Sequence, residues 1–157
     1  MSKPLGEKLP REFIDAIDGH DLEGKYGETY LLLTSDTDGT PRPCMLSAGE
    51  MLAIDDRKIR VALWPNGHSG ANLRRGSQVI ICFVQPNTVL YVQGQAKELA
   101  HGRDPEIERF EIAVSSVASD VHEGLPVLHG IAFTSTPEVR RTMLEQWRKV
   151  LSALHEG

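Results

Sequence analysis

The sequence predicts a mainly β protein, an antiparallel barrel of six or seven strands with α-helices at its periphery. Short segments in which apolar and polar residues alternate predict the strands, and turn residues separate neighbouring segments closely enough for hairpins. Segments with helical spacing lie at both ends of the chain and between strands. Because a sheet of many short strands leaves exposed edges unless it closes, these observations favour a barrel.

The first predicted hairpin lies in "ETYLLLTSDTDGTPRPCMLS", which spans residues 28–47. Its turn contains Asp38, Gly39 and Pro41, and its second strand runs over residues 42–47. Glycine adopts the positive φ of a tight turn at little steric cost, so Gly39 supports a hairpin here.

Two more hairpins follow the same pattern. The segments "EMLAID" and "IRVALW" flank the charged bend "DRK", and "QVIICFV" and "TVLYVQGQAKEL" flank "QPN". A last short strand is predicted in "GIAFTS". In "IRVALW", residues 59–64, alternation places Ile59, Val61 and Leu63 on one face of the strand. Arg60, Ala62 and Trp64 lie on the other face.

Helical spacing recurs in four segments. "PREFIDAIDGH" predicts a short amphipathic helix that ends near Gly19, and "HSGANLRRG" has room for one or two turns. A helix of about three turns is predicted after Asp104 and Pro105. It rests on the spacing of Ile107, Phe110, Val114 and Val117.

The last helix has the clearest signals in the chain. Thr136 is a good N-cap, and Pro137 suits the first helical position. One apolar stripe follows, formed by Val139, Met143, Trp147, Val150 and Leu154. This stripe must be buried, either against the sheet or against another subunit.

Composition limits the classes of function. A chain of 157 residues and 17.4 kDa fits one domain over residues 1–157. The net charge of −5 and pI near 5.7 argue against a nucleic-acid partner. The N-terminus has no apolar signal segment, and the longest apolar run, residues 79–84, is too short for a membrane span. We therefore expect a soluble cytoplasmic protein.

Strong local signatures of catalysis are absent from the sequence. It contains no phosphate-binding Walker motif, no G-x-G-x-x-G after a strand, no G-x-S-x-G, no H-E-x-x-H and no C-x-x-C. The six histidines have no ligand spacing, so no metal site is predicted. The two cysteines are interpreted as buried apolar residues. No residue is assigned as catalytic.

Three segments in order carry a resemblance to a known family. They are "DGTPRPCMLS" from Asp38, "HSGANLRRG" from His68 and "VQGQA" from Val92. Together, over roughly residues 30–99, they resemble the FMN-binding split-barrel family that includes pyridoxamine 5'-phosphate oxidase. The family pattern is a D-G-x-P hairpin, a short helix with N-L-R and a strand ending in G-x-A. Its matches are Asp38, Gly39, Pro41, Asn72, Leu73, Arg74, Gly94 and Ala96.

The resemblance implies a split barrel that binds FMN. It also implies a homodimer with FMN sites at the subunit interface, and flavin-dependent oxidoreductase activity on a small molecule. The candidate cofactor-binding residues are Arg42, Pro43, Cys44, Met45, Ser47, Trp64, His68, Ser69, Asn72, Leu73 and Gln93. Within this set the family pattern implies that Arg42 contacts the phosphate and that Gln93 lies near the cofactor. For Asn72, a brace for the short helix is as good an interpretation as a ligand contact.

General chemistry agrees with this assignment. A phosphate dianion is stabilised by the unpaired amides at the beginning of a helix. Ser69 is placed to cap the short helix and face the phosphate, and Gly70 lets the backbone approach it. Arginine suits a phosphate because its fork donates two hydrogen bonds. Backbone groups of residues 43–47 would then line the edge of the flavin ring.

Two departures from the family pattern bear on affinity. Ser69 and Ser47 stand where the family and the oxidase itself have lysines. Each lost charge-assisted contact would cost roughly 1.5–3 kcal/mol of binding free energy. The substrate pattern of the oxidase is also unmatched near the C-terminus, so pyridoxal phosphate synthesis is not expected.

Three alternatives remain open at this level. One is a non-catalytic ligand-binding or stress-related protein that has lost tight FMN binding. Another is a haem-handling relative with His68, His122 or His129 as an axial ligand. The third is a protein-interaction module, and only the apolar stripe of the last helix supports it.

Overall fold

The computed structural model describes residues 2–156, which contain nine strands and four helices. The strands are β1 (Lys3–Gly6), β2 (Glu28–Ser35), β3 (Pro41–Ser47), β4 (Met51–Ala53), β5 (Lys58–Leu63), β6 (Gln78–Gln85), β7 (Thr88–Glu98), β8 (Glu108–Ser119) and β9 (Ile131–Ala132). The helices are α1 (Arg11–Ala16), α2 (Leu22–Lys25), α3 (His68–Arg74) and α4 (Pro137–His155).

The main sheet has seven antiparallel strands in the order β3-β2-β6-β7-β8-β5-β4. Its two outer strands, β3 and β4, are consecutive in the chain and are joined by residues 48–50 alone. So short a link brings the two edges together, and the sheet must curl. The result is the predicted antiparallel split barrel, with β3 and β4 at the split.

The barrel interior is filled by one face of each main strand and by α1. In β5, Ile59 and Val61 are fully buried inside the barrel, as the alternating pattern predicted. Phe13 and Ile17 close one end, and the Phe13 ring lies 4.9 Å from that of Phe83. Burying each such side chain contributes roughly 1.5–3 kcal/mol to stability.

Helix α4 packs on the outside of the barrel, over the other face of β4 and β5. Its N-cap is Thr136, whose hydroxyl oxygen accepts a hydrogen bond from the Val139 amide at 3.3 Å, and Pro137 follows as predicted. The apolar stripe is buried from Trp147 onward, against the protein's own sheet. Val139, at the start of the stripe, is exposed.

The helix predicted after Asp104 is wrong, because residues 108–119 form β8, the longest strand. Phe110 and Ile112 are buried two residues apart, as strand geometry requires. The apolar residues at positions 107, 110, 114 and 117 also match a helical period, and that coincidence misled the prediction. Pairing of β8 with β5 and β7 on either side decides the conformation.

Two glycines occupy positions in the sheet that a larger residue would fit poorly. Gly39 adopts φ +86° in the predicted turn between β2 and β3. Gly94 lies at a bulge in β7, where a Cβ would come within 2.5 Å of the Ala113 carbonyl oxygen, so this glycine serves the close approach of β8. The short elements β1 and α2 were not predicted. Within residues 2–156, none of the helices combines the length and apolar character that a membrane span needs.

Candidate functional site

A groove of about 370 Å³ opens to solvent at the split of the barrel. Seven of the eleven residues predicted to bind the cofactor line it, namely Arg42, Pro43, Cys44, Met45, Trp64, His68 and Ser69. One wall is strand β3, and the other is the segment that leaves β5 and enters α3. This volume falls within the range of ligand sites for small molecules and cofactors.

The wall formed by residues 64–70 is held in place by β8. Asn66 has φ +65°, and its backbone amide donates a hydrogen bond to Glu108 Oε1 at 3.2 Å. A Cβ at Gly70 would come within 2.5 Å of Glu108 Oε2. Gly70 therefore permits close packing against Glu108, and its predicted approach to a phosphate stays a prediction.

Arg42 does not project alone into the groove. Its guanidinium makes a two-pronged ion pair with Asp36, with Nε 2.8 Å from Oδ1 and Nη2 2.7 Å from Oδ2. The hairpin register places Arg42 opposite Thr34, and Asp36 lies just beyond the end of β2. The sequence analysis missed Asp36, although a carboxylate and an arginine on either side of a tight turn are a usable signal.

Asp36 also anchors Asn72. The Asn72 amide donates to Asp36 Oδ1 at 2.8 Å and to Thr34 Oγ1 at 3.0 Å, and its carbonyl oxygen accepts from Arg75 Nη1 at 3.0 Å. These hydrogen bonds to Arg42 and Asn72 hold the pKa of Asp36 well below its ordinary range. Asp36 therefore stays ionised in the folded protein and keeps Arg42 in a fixed orientation.

Four predicted residues lie outside the groove lining. Asn72 and Leu73 are buried within α3, where Asn72 acts as the brace just described and Leu73 packs in the core. Ser47 is buried beside Glu50. Gln93, which the family pattern implies lies near the cofactor, is exposed on the face of β7 opposite the buried Val92 and Gly94.

The prediction that Ser69 caps α3 is wrong. The helix begins at His68, two residues earlier than that cap would require; its N-cap is Gly67, and no side chain caps it. Ser69 lies in the first turn, and its hydroxyl is beside the Cys44 thiol across the groove. Burial raises the pKa of Cys44, the nearby Ser69 hydroxyl lowers it in part, and the Glu50 charge adds to the rise. Cys44 is therefore a neutral thiol at physiological pH.

The two arginines at the C-terminal end of α3, Arg74 and the C-cap residue Arg75, are bonded within the protein. Arg74 pairs with Glu98 at 2.9 Å and with Glu108 at 3.1 Å, while Arg75 donates to the Ser35 carbonyl oxygen at 2.7 Å. His68 is the one histidine among those that line the groove. His122 lies 3.4 Å from Asp120, and His129 lies in the exposed loop before β9.

Glu50 is the second site residue that the sequence analysis missed. It sits in the link between β3 and β4, lines the groove, and accepts hydrogen bonds at Oε1 from the Ser47 hydroxyl at 2.7 Å and from the Ser47 amide at 3.3 Å. Burial raises the pKa of its carboxyl, and the Ser47 bonds oppose the rise. Ser47 and Glu50 have the S-x-x-E spacing of a capping box. That spacing was the sequence signal that could have identified Glu50.

No protein-family model matches the chain. The uncharacterized protein YclD of Bacillus subtilis strain 168 is 32% identical over 143 residues, which span 89% of this chain and 91% of YclD.

Three solved structures share the fold. A candidate pyridoxamine 5'-phosphate oxidase of Lactobacillus delbrueckii has a TM-score of 0.57 at 22% identity, covering 73% of this chain and 98% of that one. HupZ of Group A Streptococcus has a TM-score of 0.56 at 17% identity, covering 81% and 99%. A Clostridium acetobutylicum protein related to general stress protein 26, of the pyridoxinephosphate oxidase family, has a TM-score of 0.53 at 12% identity, covering 80% and 96%. At these identities the likeness establishes the fold.

Proposed function

We propose that this chain, which belongs to the family of Bacillus subtilis YclD and has the fold of the FMN-binding split barrels, is itself an FMN-binding protein. The observation that carries the proposal is the convergence of seven predicted cofactor-binding residues on one groove. They come from two separate segments of the chain, and only the curled sheet brings these segments together.

The chemistry of the groove suits FMN. Arg42 presents a guanidinium whose orientation is set by Asp36, and His68 lies on the facing wall, so two groups suited to a phosphate occupy the same groove. Met45 and Trp64 supply apolar surface for a flat ring. The backbone of β3, an outer strand, has one side available for hydrogen bonds to the ring edge.

We propose further that the activity is a flavin-dependent oxidation or reduction of a small molecule. FMN, when bound, supplies hydride or electron transfer. The residues of this chain would bind the phosphate, orient the ring and exclude water from one side of it. The electron donor and the electron acceptor would be small molecules that fit beside the groove.

The direct test is an FMN titration monitored by quenching of flavin fluorescence. We expect saturable binding by the wild type and roughly 10- to 100-fold weaker binding by Arg42→Ala, because a charge-assisted contact is lost. Arg103→Ala removes an exposed arginine in another part of the chain and should leave the affinity unchanged. Absence of saturation in the wild type, or equal affinity in Arg42→Ala, would count against the proposed site.

A second candidate is ligand binding without catalysis on the same fold. The observation in its favour is that Ser47, at a position where the oxidase has lysine, is buried and bonded to Glu50. The same titration separates the two candidates, since a protein that has lost tight flavin binding would show no saturation.

We also propose that the protein forms a homodimer around the groove. Met45 and Trp64 leave 63% and 60% of their surface exposed at its rim, and Leu128 leaves 77% exposed in the loop before β9. Apolar side chains this open are typical of surfaces covered by a partner. Sedimentation velocity should give twice the 17.4 kDa chain mass, and a monomer at tens of micromolar protein would contradict the proposal.

A further inference from the structure

The arginines in and around the groove are already bonded within the protein. Arg42 holds Asp36 in a two-pronged ion pair, with distances of 2.8 and 2.7 Å, so their charges cancel. Arg74 is paired with Glu98 at 2.9 Å, and Arg75 donates to two oxygens of neighbouring residues. The remaining N–H groups of Arg42 can still donate to an anion. Arg42 therefore offers a phosphate hydrogen bonds but adds no net positive charge to the groove.

The rest of the groove lining supplies no permanent positive charge. Among residues 2–156, the charged or titratable side chains that line the groove besides Arg42 are Cys44, Glu50 and His68. Burial raises the pKa of Cys44, so its thiol is neutral at physiological pH. Glu50 is a carboxylate, and none of the ion pairs in the described part of the chain includes it. A phosphate dianion in this groove would therefore depend on His68 for a positive counter-charge.

His68 is placed to provide that charge. It is the first residue of α3, it is exposed, and it lies on the wall opposite Arg42. No ion pair formed within residues 2–156 engages its imidazole. The oxygens of the nearby Asp36 are bonded to Arg42 and Asn72 instead. Because histidine changes charge near neutral pH, the net charge of the groove varies with pH.

FMN binding and the protonation of His68 favour each other. An imidazolium makes a charge-assisted hydrogen bond to a phosphate dianion, and such bonds are roughly twice as strong as neutral ones. Because the protonated form would bind FMN more tightly, bound FMN would in turn stabilise the protonated form, and binding near neutral pH would take up a proton. Riboflavin has the same ring and ribityl chain without the phosphate, so this coupling does not apply to it.

We propose that His68 is the residue by which the groove selects FMN over flavins that lack a phosphate, and that it does so as an imidazolium, so that FMN binding takes up a proton. The inference rests on the proposed FMN site, because it assigns the charge that holds the phosphate there. It gives the groove a positive charge although Ser47 and Ser69 stand at family lysine positions. A histidine in place of lysines makes the affinity for FMN depend on pH.

Other charged or titratable groups lie on the elements packed around His68. They are Asp36 and Asp38 after β2, Arg42 and Cys44 on β3, Glu50 in the link to β4, Arg74 and Arg75 at the end of α3, Glu98 on β7 and Glu108 on β8. Arginine and carboxylate groups ordinarily keep their charge between about pH 7 and about pH 8.5. Burial raises the pKa of Glu50, so a variant of Glu50 must separate its effect from that of His68.

The first test compares FMN with riboflavin at about pH 7 and about pH 8.5, with quenching of flavin fluorescence as the readout. Wild-type affinity for FMN should fall about 3- to 15-fold over this range, because the protonated fraction of histidine falls as the pH rises. The FMN phosphate is largely a dianion throughout, since its second pKa is about 6. Affinity for riboflavin should be the same at both values. A decline shared by riboflavin, or an FMN affinity that does not change with pH, would overturn the proposal.

Variants assign the pH dependence to one side chain. His68→Asn should make FMN binding independent of pH and, at about pH 7, about as weak as that of the wild type at about pH 8.5. His68→Lys keeps a positive charge over this range, so its FMN affinity should be constant and exceed that of the wild type at about pH 8.5. His20→Asn changes an exposed histidine outside the groove, and both this variant and Glu50→Gln should retain the decline. A decline that survives His68→Asn, or one that disappears in Glu50→Gln, would contradict the role of His68.

Calorimetry measures the proton directly. Near pH 7, titrations in two buffers with different ionisation enthalpies should show an uptake of roughly half a proton per FMN bound by the wild type. His68→Asn should take up close to none, and riboflavin should cause no uptake in either protein. Saturable FMN binding by the wild type without proton uptake would refute the proposal.

These outcomes separate this inference from the FMN proposal. Saturable FMN binding that is independent of pH would leave the flavin site standing and remove the role of His68. Riboflavin binding as tight as FMN binding at about pH 7 would do the same, because the groove would then hold the ring without selecting the phosphate. Absence of FMN saturation at both pH values would refute the proposed FMN site, and the inference with it.

Discussion

Replacing Gly49 with alanine should lower the free energy of unfolding by about 1–3 kcal/mol, because a Cβ there would overlap the Trp147 indole. Trp147 has little room to retreat, since it is 1% exposed and packed between the sheet and neighbouring aromatic rings. Gly49 also belongs to the link that joins the two edges of the barrel. The added methyl group therefore strains the point at which α4 meets the split.

Urea unfolding followed by circular dichroism measures this effect. Gly67→Ala is a suitable control, because its φ is −84° and the nearest atom to a new Cβ, the Trp64 carbonyl oxygen, is 3.8 Å away. That change should cost less than about 1 kcal/mol. In the double variant Gly49→Ala/Trp147→Leu the two effects should be less than additive, since the smaller side chain makes room for the methyl group. Full additivity would mean that the contact is not the cause.

Arg109→Met is expected to cost about 3–5 kcal/mol of stability, the larger of the two effects. Arg109 is 4% exposed, and its guanidinium binds the carbonyl oxygens of Ala153 and Glu156 at 2.9 and 3.0 Å and that of Ala100 at 2.5 Å. These hydrogen bonds join the C-terminal end of α4 to β8. Methionine keeps much of the apolar stem but removes the Arg109 donor to the Ala100 carbonyl oxygen and one of the two donors each to the carbonyl oxygens of Ala153 and Glu156.

The matched control for this prediction is Arg103→Met, which removes an exposed arginine of the same region and should change stability by no more than about 0.5 kcal/mol. Unfolding curves for both variants, with the protection of α4 amides against hydrogen exchange, separate a local from a global effect. If the free energy of unfolding of Arg109→Met lay within about 0.5 kcal/mol of that of Arg103→Met, the hydrogen bonds from Arg109 to the end of α4 would not stabilise the protein.

Local sequence signals predicted most of the barrel. The alternation in β5, the glycine turn between β2 and β3, and the N-cap and proline of α4 each depend on neighbouring residues alone, and each prediction was confirmed. The strand β8 was mistaken for a helix because its apolar residues satisfy both periods. Pairing with strands on both sides, which is remote in sequence, settled that ambiguity.

In the candidate site, too, features that depend on neighbouring residues were predicted, whereas contacts between distant residues were not. The resemblance of three short segments identified residues that line one groove, because their spacing within each segment is local. It missed Asp36 and Glu50, and it misplaced the cap of α3, because these depend on which side chains meet.

The sequence by itself therefore determined most of the strands, the turn between β2 and β3 and the chemical character of the groove, since periodicity and turn chemistry act over a few residues. The tertiary structure alone decided that Asp36 orients Arg42, that Asn72 braces α3, and that Glu50 lines the groove with Ser47 as its hydrogen-bond donor. Those relations depend on how the sheet curls at the split, because the curl brings residues together that are far apart along the chain.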